Sequence, residues 1–119
     1  MESIEINGVE YVKKSDAREN AIEFKGMKYC MVRTYSAGVF AGYLKYRDNK
    51  EVELVLARRI WRWEGAASLS QLAMEGTSKP DKCKFPCEVN SILLTEVIEI
   101  IECTEKARLS IASVPVWSE

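Results

Sequence analysis

The stretch EVELVLARRIWRW, residues 51–63, alternates apolar and polar side chains with a period of two, which only a strand with one buried face satisfies. Val52, Leu54, Leu56 and Ile60 share the apolar face, and Arg58 falls in phase with them. After Ile60 the phase changes. Trp61 and Trp63 take the opposite side while Arg62 follows the old apolar phase, which predicts a bulge or a strand leaving one environment for another. Two more runs of the same period precede this one. KYCMVRTY sets Cys30 and Val32 against Tyr29, Met31, Arg33 and Tyr35, and VFAGYLKYR resumes after Ser36, Ala37 and Gly38. Asp48 and Asn49 then turn the chain into the third run, so residues 28–63 read as an antiparallel sheet.

Helical signals are fewer. In GAASLSQLAMEG, Ser68 and Gln71 form a capping box, Leu69, Leu72 and Ala73 an apolar stripe, and Gly76 a stop. Residues 77–87 read as a lysine-rich loop closed by Pro86. VNSILLTEVIEIIECT carries Glu96, Glu99 and Glu102 at helical spacing, but Val97, Ile98, Ile100 and Ile101 are β-branched, which favours one or two strands. Thr104 caps a last helix, EKARLSIAS, ended by Pro115. Residues 1–27 read as a separate extension, with a hairpin about the Asn7–Gly8 pair and a short helix opening at Ser15 that sets Ala17, Ala21 and Phe24 on one side. The expected fold is therefore α+β, a small antiparallel sheet with two or three short helices in one domain over residues 28–119.

Composition narrows the chemistry. The 119 residues hold no histidine, which removes Ser-His, Cys-His and His-metal arrangements. Seventeen basic and eighteen acidic side chains give a net charge of −1, a poor match to a DNA or RNA duplex. No apolar run reaches membrane-spanning length, and the opening residues have no secretory pattern, so a cytoplasmic chain is expected, with no membrane partner. Cys30, Cys83, Cys87 and Cys103 lack the spacing of a zinc knuckle and read as reduced structural thiols. No cofactor or metal is expected. Without acidic residues at metal-binding spacing, binding is favoured over catalysis.

Three groups of residues suit a nucleotide. Gly38 and Gly42, within RTYSAGVFAGYL, keep backbone bare, either for a hairpin or for close approach of a ligand. Arg58, Arg59 and Arg62 surround Trp61 and Trp63, offering guanidiniums for phosphate and rings for a base; pairing of Arg58 with Glu96, Glu99 or Glu102 in a core is the other reading. Lys79, Lys82 and Lys84 stand near Phe85 and Asn90, a cation, an aromatic plane and an amide as a purine site requires, or else solvated lysines on a loop.

The strings YCMVRTYSAGVFAGYL, ARRIWRWEGAASLSQLAMEG and EVIEIIECTEKARLSI resemble the phage and prophage family that contains the first-described Thoeris anti-defence proteins, in one register over about residues 28–117. The resemblance implies a sponge. Such a protein binds a cyclic ADP-ribose isomer made by a host TIR-domain enzyme and holds it uncleaved in the cytoplasm of the infected bacterium. It further implies a homodimer, able to form a hexamer as a trimer of dimers, and in some relatives a separate site for cyclic di- or trinucleotides. Carried onto this chain, it makes Phe85 and Asn90 adenine or ribose contacts and Arg108 the phosphate partner, with Arg33 and the backbone of Ala37 and Gly38 nearby. Arg58 and Lys84 fall to the second site. The competing expectation is a metal-dependent phosphodiesterase that degrades cyclic nucleotides.

Overall fold

The computed structural model describes residues 4–6, 9–11 and 19–119. Strands β1 (Ile4–Ile6) and β2 (Val9–Tyr11) pair antiparallel with Ile6 opposite Val9. The turn expected at Asn7–Gly8, and the start of the expected helix at Ser15, lie outside the described residues.

The main sheet has five antiparallel strands: β3 (Lys28–Thr34), β4 (Val39–Asp48), β5 (Glu51–Arg59), β6 (Glu88–Leu94) and β7 (Val97–Glu102). Their order is β6-β5-β4-β3-β7, so the ambiguous acidic segment forms two strands at opposite edges of the sheet. Only Thr95 and Glu96 connect those edges. Two intervening residues span about 10 Å at full stretch, so the sheet curls until its edges meet at that end. Its concave face encloses a cluster of Cys30, Val32, Phe40, Val52, Leu54, Ala57, Leu94 and Val97. The other face carries helices α1 (Leu69–Glu75) and α2 (Glu105–Ser113), whose Leu72, Ala73, Ala107 and Ile111 pack with Tyr29, Met31, Ala41 and Phe85.

The two helices begin and end where the sequence directs. The Ser68 side chain accepts from the Gln71 amide at 3.1 Å, and Gly76, with φ of +77°, closes α1. Thr104 accepts from the Ala107 amide at 3.1 Å at the start of α2. Residues 19–24 depart from the expected helix. The Ala21 amide donates to the Cys103 carbonyl at 3.0 Å, and Phe24 and Met27 bond each other's backbone. Extended chain buries Ala21 in the core and brings the Phe24 ring within 5.2 Å of Tyr43, so tertiary contact overrides the helical stripe. No helix among the described residues is long and apolar enough to cross a membrane.

The phase slip in β5 falls earlier than the sequence places it. Leu56 adopts φ of +51°, and the β4–β5 register shifts between Ala41 and Tyr43. Val52 and Leu54 therefore face the concave core, whereas Arg58 and Ile60 turn to the helical side. Gly42 lies opposite this bulge. A Cβ there would stand 3.0 Å from the Cα of Ala57 and 3.2 Å from its Cβ. Part of the bare stretch is thus bare so that two strands can meet at a bulge. Gly42→Ala should destabilise the fold by about 1–3 kcal/mol through overpacking, read as a lower urea midpoint with an unchanged m-value.

Candidate functional site

Four strands and α2 bound a cleft of about 290 Å³ on the helical side of the sheet. Tyr29 comes from β3, Tyr43 from β4, Leu56 and Arg58 from β5, and Glu88 from β6; Arg108, Ile111 and Ala112 of α2, with Val114 and Val116 beyond it, complete the wall. The tyrosine rings meet edge to face at 5.0 Å, which fixes both against the sheet.

Arg58 is 7% exposed and forms no ion pair with a carboxylate among the described residues. Its Nε donates to the Pro86 carbonyl at 3.0 Å and Nη1 to Ile111 at 2.8 Å; Nη2 donates to Phe85 at 3.2 Å and Val114 at 2.8 Å. The guanidinium thus joins the loop before β6 to the end of α2, where the helix carries a partial negative charge. Burial nonetheless lowers its pKa from the usual arginine value. The expected pairing with Glu96, Glu99 or Glu102 does not occur, because the bulge turns Arg58 away from them. Its assignment to a second ligand site is corrected on the same ground: these donors are committed to the backbone.

Arg108 is held differently. Its Nη2 and Nε donate to the two oxygens of Glu105 at 2.6 and 2.9 Å, and the Ile22 amide donates to the same carboxylate at 2.9 Å. The Arg108 bonds and the Ile22 amide bring the Glu105 pKa down from 4.5 to about 2, and Glu105 in turn raises that of Arg108. The result is a positioned guanidinium, three-quarters buried, at the rim of the cleft.

Of the residues chosen from sequence, Arg108 and Arg58 meet in this cleft and the others do not. Phe85 is fully buried with Arg58 over its ring at 5.4 Å, so neither face is open to an adenine. That role is corrected: Phe85 belongs to the core. Asn90 is exposed on edge strand β6, two residues beyond Glu88. Arg33 pairs with Glu99 at 3.2 Å, four residues along β3 from Tyr29, or about 13 Å. The Ala37 amide already donates to the Thr34 hydroxyl at 2.9 Å, and the Gly38 carbonyl accepts from the Thr34 amide and hydroxyl. The loop's φ of +99° at Gly38 serves that turn. Lys84 pairs by backbone with Arg62, and its Nζ lies 5.5 Å from the centre of the Trp117 ring. Sequence reading overlooks Tyr29, Tyr43 and Glu88. The alternation of KYCMVRTY puts Tyr29 on the face opposite Cys30 and Val32, but the two tyrosines become neighbours only through the β3–β4 register.

The thiols stand apart from the cleft wall. Cys30 and Cys103 are buried, and burial pushes them up to about 11 and about 12, so both remain protonated near neutrality. Cys87 is exposed. Among the described residues, no three Cys, Asp or Glu side chains converge in a way that could hold a metal ion.

Residues 27–111 match the family model described as a domain of unknown function, DUF6948, and the chain belongs to that family. No curated protein and no solved structure matches it. The matched residues include every strand of the main sheet and all but the last two residues of α2.

Both arginines bear on stability. Arg58→Met should cost about 3–5 kcal/mol, because four carbonyls lose a charged donor inside the fold, and only Ile111 and Phe85 keep a backbone amide as a second one; a chemical denaturation curve measures it. Glu105, with its folded-state pKa below its unfolded one, stabilises fully above about pH 4.5, and that contribution disappears as pH falls towards 2. Glu105→Gln should therefore lower stability by up to about 1 kcal/mol at pH 7, and the gap from wild type should close between pH 4.5 and 2 in thermal melts.

Proposed function

We propose that this domain is a sponge: it binds a cyclic ADP-ribose isomer, the signal of a host TIR-domain enzyme, and keeps it uncleaved in the cytoplasm of an infected bacterium. The observation that carries the reading is the cleft in which the Arg108 guanidinium, fixed by Glu105, stands beside the ring of Tyr43. A pyrophosphate calls for such a guanidinium, and an adenine for such a ring. The sequence resemblance over residues 28–117 supports the same ligand class. Histidine is absent from the chain, which agrees with holding the ligand rather than hydrolysing it.

The cleft volume bears on assembly. Sites for small molecules run from about 300 to 1,000 Å³, so about 290 Å³ is small for a ligand with an adenine, two riboses and a pyrophosphate. Nanomolar holding needs about −12 kcal/mol, which an open, half-covered ligand reaches with difficulty. A second copy closing over the cleft resolves both points, and the homodimer, with the hexamer built from it, belongs to the proposal. Lys84 beside Trp117 is what remains of the second site for cyclic di- or trinucleotides.

Isothermal titration with a cyclic ADP-ribose isomer tests the reading. Arg108→Ala and Tyr43→Ala should each weaken binding at least tenfold, whereas Arg33→Ala should leave it unchanged. Boiling the complex should release intact ligand. A linear product after boiling would establish the phosphodiesterase instead, and wild-type affinity in both cleft variants would remove the cleft from the mechanism.

A further inference from the structure

Two polar side chains of the cleft are left unused by the fold. Glu88 stands opposite Arg58 in the β5–β6 register, so both lie on the helical side of the sheet, and both line the cleft. Among the described residues the exposed Glu88 carboxylate has no ion pair and no hydrogen bond. Arg58 does not reach it, because its donors are drawn to four backbone carbonyls. Tyr29 is the second such residue. It is 7% exposed, and its hydroxyl makes no hydrogen bond to a described residue. No fully enclosed side-chain oxygen or nitrogen there lacks a partner, so this hydroxyl opens on the cleft that it lines. Burial raises its pKa above the ordinary phenol value, which keeps it an O–H at neutral pH. A side chain so enclosed normally has its polar atom bonded, and a polar ligand in the cleft supplies the missing partner.

The charges divide the cleft into two ends. Arg108 on α2 offers a cation at the rim, and Glu88 on β6 offers an anion. Strand β5 lies between β6 and β4, so the strands that carry Glu88 and Tyr43 are two spacings apart, about 10 Å. An ionised carboxylate only accepts hydrogen bonds. A ribose hydroxyl can donate to it, whereas a phosphate monoester, largely ionised at neutral pH, has like charge and is repelled. With the pyrophosphate at Arg108 and the adenine on Tyr43, the group that meets Glu88 has to be a donor. Dinucleotide-binding sheets use the same chemistry, an acidic side chain on a ribose hydroxyl, to separate unphosphorylated from 2′-phosphorylated ligands.

We infer that Glu88 sets the specificity of this cleft: its carboxylate accepts from a free hydroxyl of the ribose that carries the adenine, and it excludes nucleotides phosphorylated at that position. Tyr29 donates to either kind of ligand and does not discriminate between them. The inference rests on the nucleotide reading given above and adds to it the class of nucleotide held, one whose adenosine ribose bears no extra phosphate. An unpaired charge placed against the wrong ligand is an economical way to be specific.

Isothermal titration of the full chain with two probes tests it: a cyclic ADP-ribose isomer whose adenosine 2′-hydroxyl is free, and the same isomer phosphorylated at that oxygen. The wild type should bind the first at least about tenfold more tightly. Glu88→Gln should weaken the first about tenfold, by loss of a charge-assisted bond, and bring the two probes to similar affinity. Glu88→Lys should reverse the preference. Glu51→Lys makes the same charge change seven residues along β5 from Arg58, about 23 Å away, and should keep the wild-type preference. Tyr29→Phe should weaken both probes about two- to tenfold while leaving the thermal midpoint unchanged, since its hydroxyl bonds nothing in the free protein. Circular dichroism melts confirm that the Glu88 variants are folded. Equal affinity of the wild type for both probes, a preference that survives Glu88→Lys, or one that Glu51→Lys shifts as far would overturn the inference and leave the nucleotide reading standing. Binding of neither probe by the wild type would overturn both.

Discussion

A buried guanidinium that spends its hydrogen bonds on backbone carbonyls organises this domain. Arg58 reaches from the sheet to Ile111 and Val114 at the end of α2, and to Phe85 and Pro86 in the loop before β6. Three segments distant in sequence are thereby held at one point. Removing a charged side chain from water is costly, and the cost is offset only when its donors find acceptors of good geometry. Here the acceptors are carbonyls at the end of α2 and in the loop before β6, each within 3.2 Å of a guanidinium nitrogen. The same residue forms the floor of the cleft, so the scaffold and the candidate site share one side chain.

That arrangement depends on a backbone irregularity two residues away. The bulge at Leu56 rotates the strand by one phase, and without it Arg58 would point into the concave apolar cluster, away from the carbonyls it binds. Gly42 makes the bulge possible by leaving room beside Ala57. The sequence, the bulge and the buried cation are therefore consistent with one another only as a set. On the rim, Arg108 shows the contrasting case of a cation held by a carboxylate, with solvent near enough for a ligand to compete.

Much of the fold is legible in the order of the amino acids. Alternation in KYCMVRTY, VFAGYLKYR and EVELVLARR locates three strands, although β3 and the start of β4 are buried on both faces, and Ser68, Gly76 and Thr104 locate helix ends because capping is a local interaction. The preference for strands over residues 88–102 follows from β-branching. The helix expected across Ala21 and Phe24 fails because both residues find their contacts in extended chain against Cys103 and Tyr43, partners separated from them by much of the domain. The candidate site is less legible still. Phe85 reads as a loop aromatic beside lysines, but Arg58 and the core cover it. Tyr29 and Tyr43 carry no local mark, since only strand register makes them neighbours.

The central claim is that the cleft between the tyrosines and α2 receives an intact nucleotide. A crystal structure of the protein with a cyclic ADP-ribose isomer addresses it most directly. The account requires unbroken ligand density with a phosphate oxygen in hydrogen-bond reach of Arg108 and a ring against Tyr43. Density for a cleaved ligand, or for the whole ligand at a surface that excludes both residues, would contradict it.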